Sequence, residues 1–393
     1  MSPPLPPQHF APAYIVAARR TALGRVGGLH RTRRLEDLTA PVITAALADA
    51  NVKPSEVDEI VIGNTSQGGN PARLIALSAS LPETSPAITL DRQCSSGLDA
   101  ILHAIRTIAG GEADVIVAGG ADSVSTAPWR IAKPKNLYQT PHFIGIEPGA
   151  DSRPDIPQPL EASEALAVRL GISRQAQDTF TMKSHLRAQT ARDARRFVGE
   201  IVPIRANREE ARDESAIGPS LEDIESETSF CPPHGTLTLA NTSQPHDGAA
   251  IAIVVSAAVW KRLGKPPALR LLASAAQGVT PELEAEAPIA AMTKLYGRLN
   301  GFDRSSVRAV ELGESSAAQA IAVMSSLGID DGVMNAEGGA VVRGHPLGAS
   351  GAVLVVRLFS RLVRRDAERR SGYGAVTLGA IGGLGLAAMF EAV

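Results

Sequence analysis

Two cysteines in 393 residues cannot build a disulfide framework, and their scarcity suits a reducing, cytoplasmic compartment. Aromatic residues make up only 4%, so the core has to be assembled from Ala, Val, Leu and Ile. The formal net charge of -2 leaves no global field to draw nucleic acid or an anionic membrane. No apolar run approaches the roughly 18 residues that a membrane-crossing helix needs, so no membrane partner is expected. The opening MSPPLPPQHFAP (1–12) has neither a basic nor an apolar region of the signal-peptide kind and reads as a proline-rich tail. What the chain does have is 36 glycines, which point to tight turns and close backbone approaches.

Apolar, β-branched runs alternate with segments of helical period. Residues 13–20, 57–64, 113–120 and 250–257 read as strands buried on both faces, and 35–51 and 96–111 as helices. Leu98, Ile101, Leu102, Ile105 and Ile108 form one stripe of the second helix, and Gly110 is placed to stop it. Strand–helix alternation predicts an α/β layered fold. Between 121 and 235 the rhythm breaks. That stretch carries Trp129, several prolines, the charged run ANREEARDES (206–215) and one good helix over about 173–196. It reads as a separate lobe. The core pattern resumes at 264: strand, turn and helix over 307–328, a glycine-rich turn feeding a helix over 344–365, and two strands around a glycine turn over 373–393. CSSGLDAILHAI echoes GASGAVLVVRL, and ADVIVAGG echoes GAVTLGAIGG, so a core of two similar halves is predicted. The halves are residues 1–120 with 236–263, and 264–393, with the lobe at 121–235.

Cys94, in DRQCSSGLDA (91–100), stands just before the first turn of a helix. It is either a small buried filler or a nucleophile whose thiolate is favoured by unpartnered helix N–H groups. A nucleophilic thiol needs a base, and His345, in a glycine-dense loop before another helix, is the best candidate. His30, His103, His142, His185 and His246 read as surface or helix-face residues. CPPH (231–234) is too sparse for a metal site, and none is expected.

Five ordered blocks, RRTALGRVGGL (19–29), GNPARLIALSASLP (69–82), DRQCSSGLDA (91–100), GTLTLANTSQPHDGAA (235–250) and NAEGGAVVRGHPLGASG (335–351), resemble the signature blocks of the thiolases. The resemblance implies the thiolase fold: two βαβαβαββ halves in five layers, α-β-α-β-α, with a loop lobe, assembled as a homodimer or homotetramer. It implies that Cys94 is acylated by an acyl-CoA thioester, that His345 activates the thiol, and that backbone amides of Cys94 and Ile381 hold the oxyanion. It implies that Ser243 contacts the pantetheine arm of coenzyme A, the alternative being a turn hydroxyl bonded to its own backbone. Coenzyme A enters as substrate, with no cofactor permanently bound.

Two catalytic elements of the resemblance are altered. The block usually reading NEAF is GESS (313–316), so Gly313 stands where an asparagine would hold water. The block usually reading CxGGGxG is GAIGGLG (379–385), so Gly379 replaces the second cysteine, the base that takes an α-proton. Cys231, in the lobe, is poorly placed to fill that gap. PQPLEASEA (157–165) stands in place of a His-Met-Gly segment. General-base catalysis is worth about 10²–10⁴-fold. The sequence therefore admits three readings: an acyl-CoA acyltransferase with an unusual base, a decarboxylating condensing enzyme that needs none, or a non-catalytic acyl-CoA-binding partner.

Overall fold

The computed structural model describes residues 11–144, 159–204, 211–216, 219–231, 233–365 and 372–393. Nearly all of the proline-rich opening, residues 206–210 of the charged run, the first two residues of PQPLEASEA and Pro232 of CPPH lie outside them.

The first half runs β1 (Ala13–Arg20), β2 (Gly24–Arg25), α1 (Leu35–Ala50), β3 (Glu59–Gly63), α2 (Pro71–Ser78), β4 (Ala87–Leu90), α3 (Ser96–Ala109) and β5 (Val115–Asp122). The lobe contributes α4 (Pro159–Leu170), α5 (Arg174–Asp193) and α6 (Leu221–Ser226). Then follow β6 (His246–Ser256), α7 (Ala257–Arg262), β7 (Leu269–Gly278), α8 (Ala287–Arg298), β8 (Val307–Gly313), α9 (Ala317–Leu327), α10 (Ala340–Arg343), α11 (Ser350–Phe359), β9 (Gly372–Ala380) and β10 (Leu384–Ala392).

Strand order is β4-β3-β5-β6-β1-β7-β10-β9-β8. β1 and β7 meet only at Tyr14–Arg270 and Ile15–Leu269, so this path is two sheets joined by a short seam. Each sheet repeats one plan. In the first, β3 runs parallel to β4 and β5, and β5 pairs antiparallel with β6. In the second, β8 runs parallel to β9, and β9 pairs antiparallel with β10. Where β4 stands in the first half, the described residues of the second show a single parallel bridge between Val310 and Met334.

The layers follow from the apolar clusters. One cluster joins α3 and α11 to the inner faces of both sheets, through Ile15, Val61, Ile116, Val254, Val376 and Leu386. A second packs α1 and α2 on the outer face of the first sheet, and a third packs α8 and α9 on the outer face of the other. The order is α-β-α-β-α. The predicted stripe of α3 is buried throughout, with Asp99 in its first turn and Arg106 in its last.

In the lobe, α4 and α6 were not foreseen. The buried side of α4 is Ala162, Ser163, Leu166 and Ala167, too weakly apolar to register as a helical stripe. A buried charge network ties Glu200 and Asp213 to β1, and Glu200 and Glu337 to α11. Arg20 of β1 donates to Glu200 (2.7 Å) and Asp213 (2.5 Å), and Arg357 of α11 donates to Glu200 and Glu337. Side chains of Arg20, Glu200 and Arg357 have no exposed surface. The Phe197 ring lies 4.7 Å from the Arg357 guanidinium.

Candidate active site

Two helix starts cross at the centre of the molecule, and two glycines allow it. A Cβ on Gly97 would lie 2.8 Å from the Gly348 carbonyl oxygen, and one on Gly351 would lie 2.6 Å from the Leu98 nitrogen. Any larger residue would push α3 and α11 apart. Asp122, at the end of β5, adds a bolt by accepting from the Gly348 N–H at 2.9 Å. The loops leading into the two helices are thereby brought to one place, and they carry Cys94 and His345.

Cys94 sits in the turn between β4 and α3. Gln93, just before it, takes a left-handed φ of 51°, a strained setting for a non-glycine residue. The turn is closed by Ser96, whose hydroxyl accepts from the Arg92 N–H (2.7 Å) and donates to the Gln93 carbonyl (2.5 Å). His345 is held by its backbone, donating to the Gln244 carbonyl (2.9 Å) and accepting from the His246 N–H (3.0 Å). Gly344 must be glycine there: its φ is 100°, and a Cβ would lie 2.2 Å from the His246 ring. Ser350 Oγ lies 3.0 Å from His345 Nδ1, which leaves Nε2 as the nitrogen free to act.

Cys94, His345, Ser243, Gly313, Gly379 and Ile381 all line one cavity of about 560 Å³. The size suits a small-molecule site. Ser243 is not a self-bonded turn hydroxyl: its Oγ lies 3.3 Å from the Ser315 carbonyl, across the neighbouring loop. Pro159, Leu160 and Ser163 of α4 form part of the wall, so the segment after 158 shapes the pocket. Cys231 lies outside the lining set. His30 and His246 depart from the surface reading: both are buried, His30 Nε2 2.8 Å from the Ala22 carbonyl, and His246 Nδ1 2.8 Å from that of Gln244. Among the described residues no cluster of three His, Cys, Asp or Glu could hold a metal, and no helix is long and apolar enough to cross a membrane.

The electrostatics correct the expectation of a resting thiolate. Burial, then the carboxylates of Glu284 and Asp122, push the Cys94 thiol up to about 12, against a smaller opposing pull from the backbone at Cys94. Burial, with neighbouring His246, takes the His345 imidazole down to about 4. At neutral pH the two are a thiol and a neutral imidazole, not an ion pair. A neutral imidazole is a competent proton acceptor, so the sulfur loses its proton as it attacks.

Residues 13–258 match the family model "Thiolase, N-terminal domain", and residues 265–392 match "Thiolase, C-terminal domain". The chain belongs to the thiolase family. The thiolase relatives include an acetyl-CoA acetyltransferase of Cupriavidus necator, 34% identical, covering 96% of this chain and 98% of that protein. A β-ketoadipyl-CoA thiolase of Pseudomonas putida is 36% identical over 95% of this chain and 98% of its own. The solved structure of the Bacillus anthracis acetyl-CoA acetyltransferase superposes with a TM-score of 0.88 at 29% identity, covering 98% of this thiolase and 100% of that chain.

The two positions at which the resemblance implies other residues, Gly313 and Gly379, differ in kind. A side chain at 313 would put its Cβ 2.7 Å from the Leu378 Cβ, so Leu378 occupies that space. For a Cβ at 379 the three nearest heavy atoms would be two of Pro288 (3.4 and 3.5 Å) and Gln319 Nε2 (3.6 Å), ordinary contacts that tolerate a side chain. Sequence reasoning missed Ser350, Gln319 and Glu284. Glu284 hides in TPELEAEAP (280–288), where alternating glutamates read as a solvated face. One of them turns inward beside buried Ala285: Glu284 is 8% exposed, lines the cavity, and accepts the Gly382 N–H at 2.7 Å.

Proposed function

We propose that this thiolase-family chain is an acyl-CoA acyltransferase that carries its acyl group on Cys94, cleaving a 3-ketoacyl-CoA or forming one by condensation. The supporting observation is that Cys94, His345 and the turn bearing Ile381 open onto one cavity. As the Cys94 sulfur attacks the thioester carbonyl, its proton passes to His345 Nε2. Ser350, at Nδ1, keeps the ring oriented. Amides of Cys94 and Ile381 receive the oxyanion, a contribution of about 3 kcal/mol per donor. The tetrahedral adduct collapses by expelling the CoA thiolate, which regains the proton from His345. Ser243, on the cavity wall, is the contact for the pantetheine arm.

The relatives' names, acetyl-CoA acetyltransferase and β-ketoadipyl-CoA thiolase, favour this reading over a decarboxylating or non-catalytic one. The proposal extends to a cytoplasmic homodimer or homotetramer, and to the division into 1–120 with 236–263, 121–235 and 264–393. The narrow β1–β7 seam supports the boundary between the halves.

Incubation with acetyl-CoA followed by intact mass measurement is the test. One acetyl adduct is expected on the wild-type protein and none on Cys94→Ala. An unmodified wild type, or an adduct that survives in Cys94→Ala, contradicts the proposal.

A further inference from the structure

Three side chains on the cavity wall carry a titratable group: the thiol of Cys94, the imidazole of His345 and the carboxyl of Glu284. The acyl-transfer step uses the first two. The third has no role there, yet it is the only carboxylate among the cavity-lining residues. Carbon–carbon bond making needs a second base, and the position implied for it by the thiolase resemblance is Gly379, which has no titratable group. Glu284 stands one helical turn before Pro288, and Pro288 is the nearest neighbour that a side chain at 379 would touch. Its Oε2 is fixed by the Gly382 N–H at 2.7 Å, within the same turn that carries Ile381.

We propose that Glu284 is the general acid–base of the carbon–carbon step, replacing the missing cysteine from the wall of the same cavity. The inference rests on the acyl-Cys94 reading. In condensation, the Glu284 carboxylate takes a proton from the methyl carbon of acetyl-CoA. The C–H electron pair forms the new C–C bond to the carbonyl of acyl-Cys94, and the carbonyl π pair moves to oxygen. Collapse breaks the C–S bond, the pair returns to sulfur, and the proton held by Glu284 passes to that sulfur. Cleavage runs the same steps backwards: sulfur attacks the keto carbon, the C–C pair leaves on the α-carbon, and Glu284 protonates it. No outside reactant is required. Burial raises the Glu284 carboxyl above its usual range, opposed by the amides of Gly382 and Gly383, which moves it toward the poise an acid–base group needs.

The test uses Glu284→Gln, which keeps an oxygen for the Gly382 N–H but cannot take a proton, and the double variant Glu284→Gln/Gly379→Cys. Two readouts are followed: acetyl adduct on Cys94 by intact mass, and deuterium uptake into the methyl group of acetyl-CoA in D2O. Glu284→Gln is expected to keep acylation within the same order of magnitude while deuterium uptake falls at least about 100-fold. The added thiol at 379, for which there is room, restores uptake. Undiminished uptake in Glu284→Gln overturns the proposal. So does joint loss of acylation and uptake that the added thiol fails to rescue, which would assign Glu284 to holding the 382–383 turn. A wild type that never acquires an acetyl group refutes the acyl-Cys94 reading itself, a result the mass measurement distinguishes.

Discussion

Alkylation of Cys94 by iodoacetamide turns the neutral thiol–imidazole pair into a measurement. With the thiol at about 12, the thiolate fraction at pH 7 is about 10⁻⁵. An ordinary thiol near 8.5 has about 3 × 10⁻², so the deficit is roughly 3,000-fold. A more basic thiolate is also the better nucleophile: a Brønsted slope of about 0.45 over about 3.5 units returns roughly 40-fold. Cys94 should then react roughly 100-fold more slowly at pH 7 than free cysteine. Its rate should climb about tenfold per pH unit between 7 and 10 without levelling. A Cys231→Ser background leaves Cys94 as the single thiol, and Cys94→Ala supplies the blank. The rate is read as the growth of the carbamidomethyl adduct by intact mass. A profile that levels with a midpoint below pH 8, or a rate matching free cysteine at pH 7, would show that His345 and the helix start hold a thiolate after all. That outcome would refute burial as the dominant influence on this sulfur.

Two further outcomes follow. Ser350→Ala removes the hydroxyl from His345 Nδ1 and should slow Cys94 acylation about 5-fold, the worth of about 1 kcal/mol, with little change in the urea midpoint; an unchanged acylation rate would deny Ser350 a positioning role. Glu200→Gln leaves the buried guanidiniums of Arg20 and Arg357 short of a charge partner and should cost about 3 kcal/mol in urea unfolding; a loss below about 1 kcal/mol would mean that Asp213 and Glu337 alone satisfy them.

Much of this was readable from residue order. The stripe of α3, the buried strands β1, β3, β5 and β6, and the two Ser-Gly helix starts each carry a local signal, and the structure forms them at or near the expected positions. The lobe was less legible because α4 is built on alanine and serine, whose contribution to a periodic pattern is slight. The element matching β4 in the second half carries no residue signal of its own, because a single bridge leaves no run to detect. At the site, Cys94 and His345 could be singled out as candidates because each stands at a helix entry, and both line one cavity. Their protonation could not be read in this way, because it depends on how much chain is packed around them. Glu284 and Leu378 show the same limit. Neither has a signature of its own, and each takes its meaning from a neighbour distant in sequence, Gly382 for one and Gly313 for the other.

The crossing of Gly97 over Gly351 makes the chemistry a gauge of how the molecule is put together. Sulfur and imidazole stand before different helices, and the interlocked entries of those helices help hold them to a common spacing. A slight opening of that joint would part them while every strand stayed hydrogen-bonded to its neighbours. On mild heating or in dilute denaturant, acyl transfer should therefore fade before the circular-dichroism signal of the sheets begins to move.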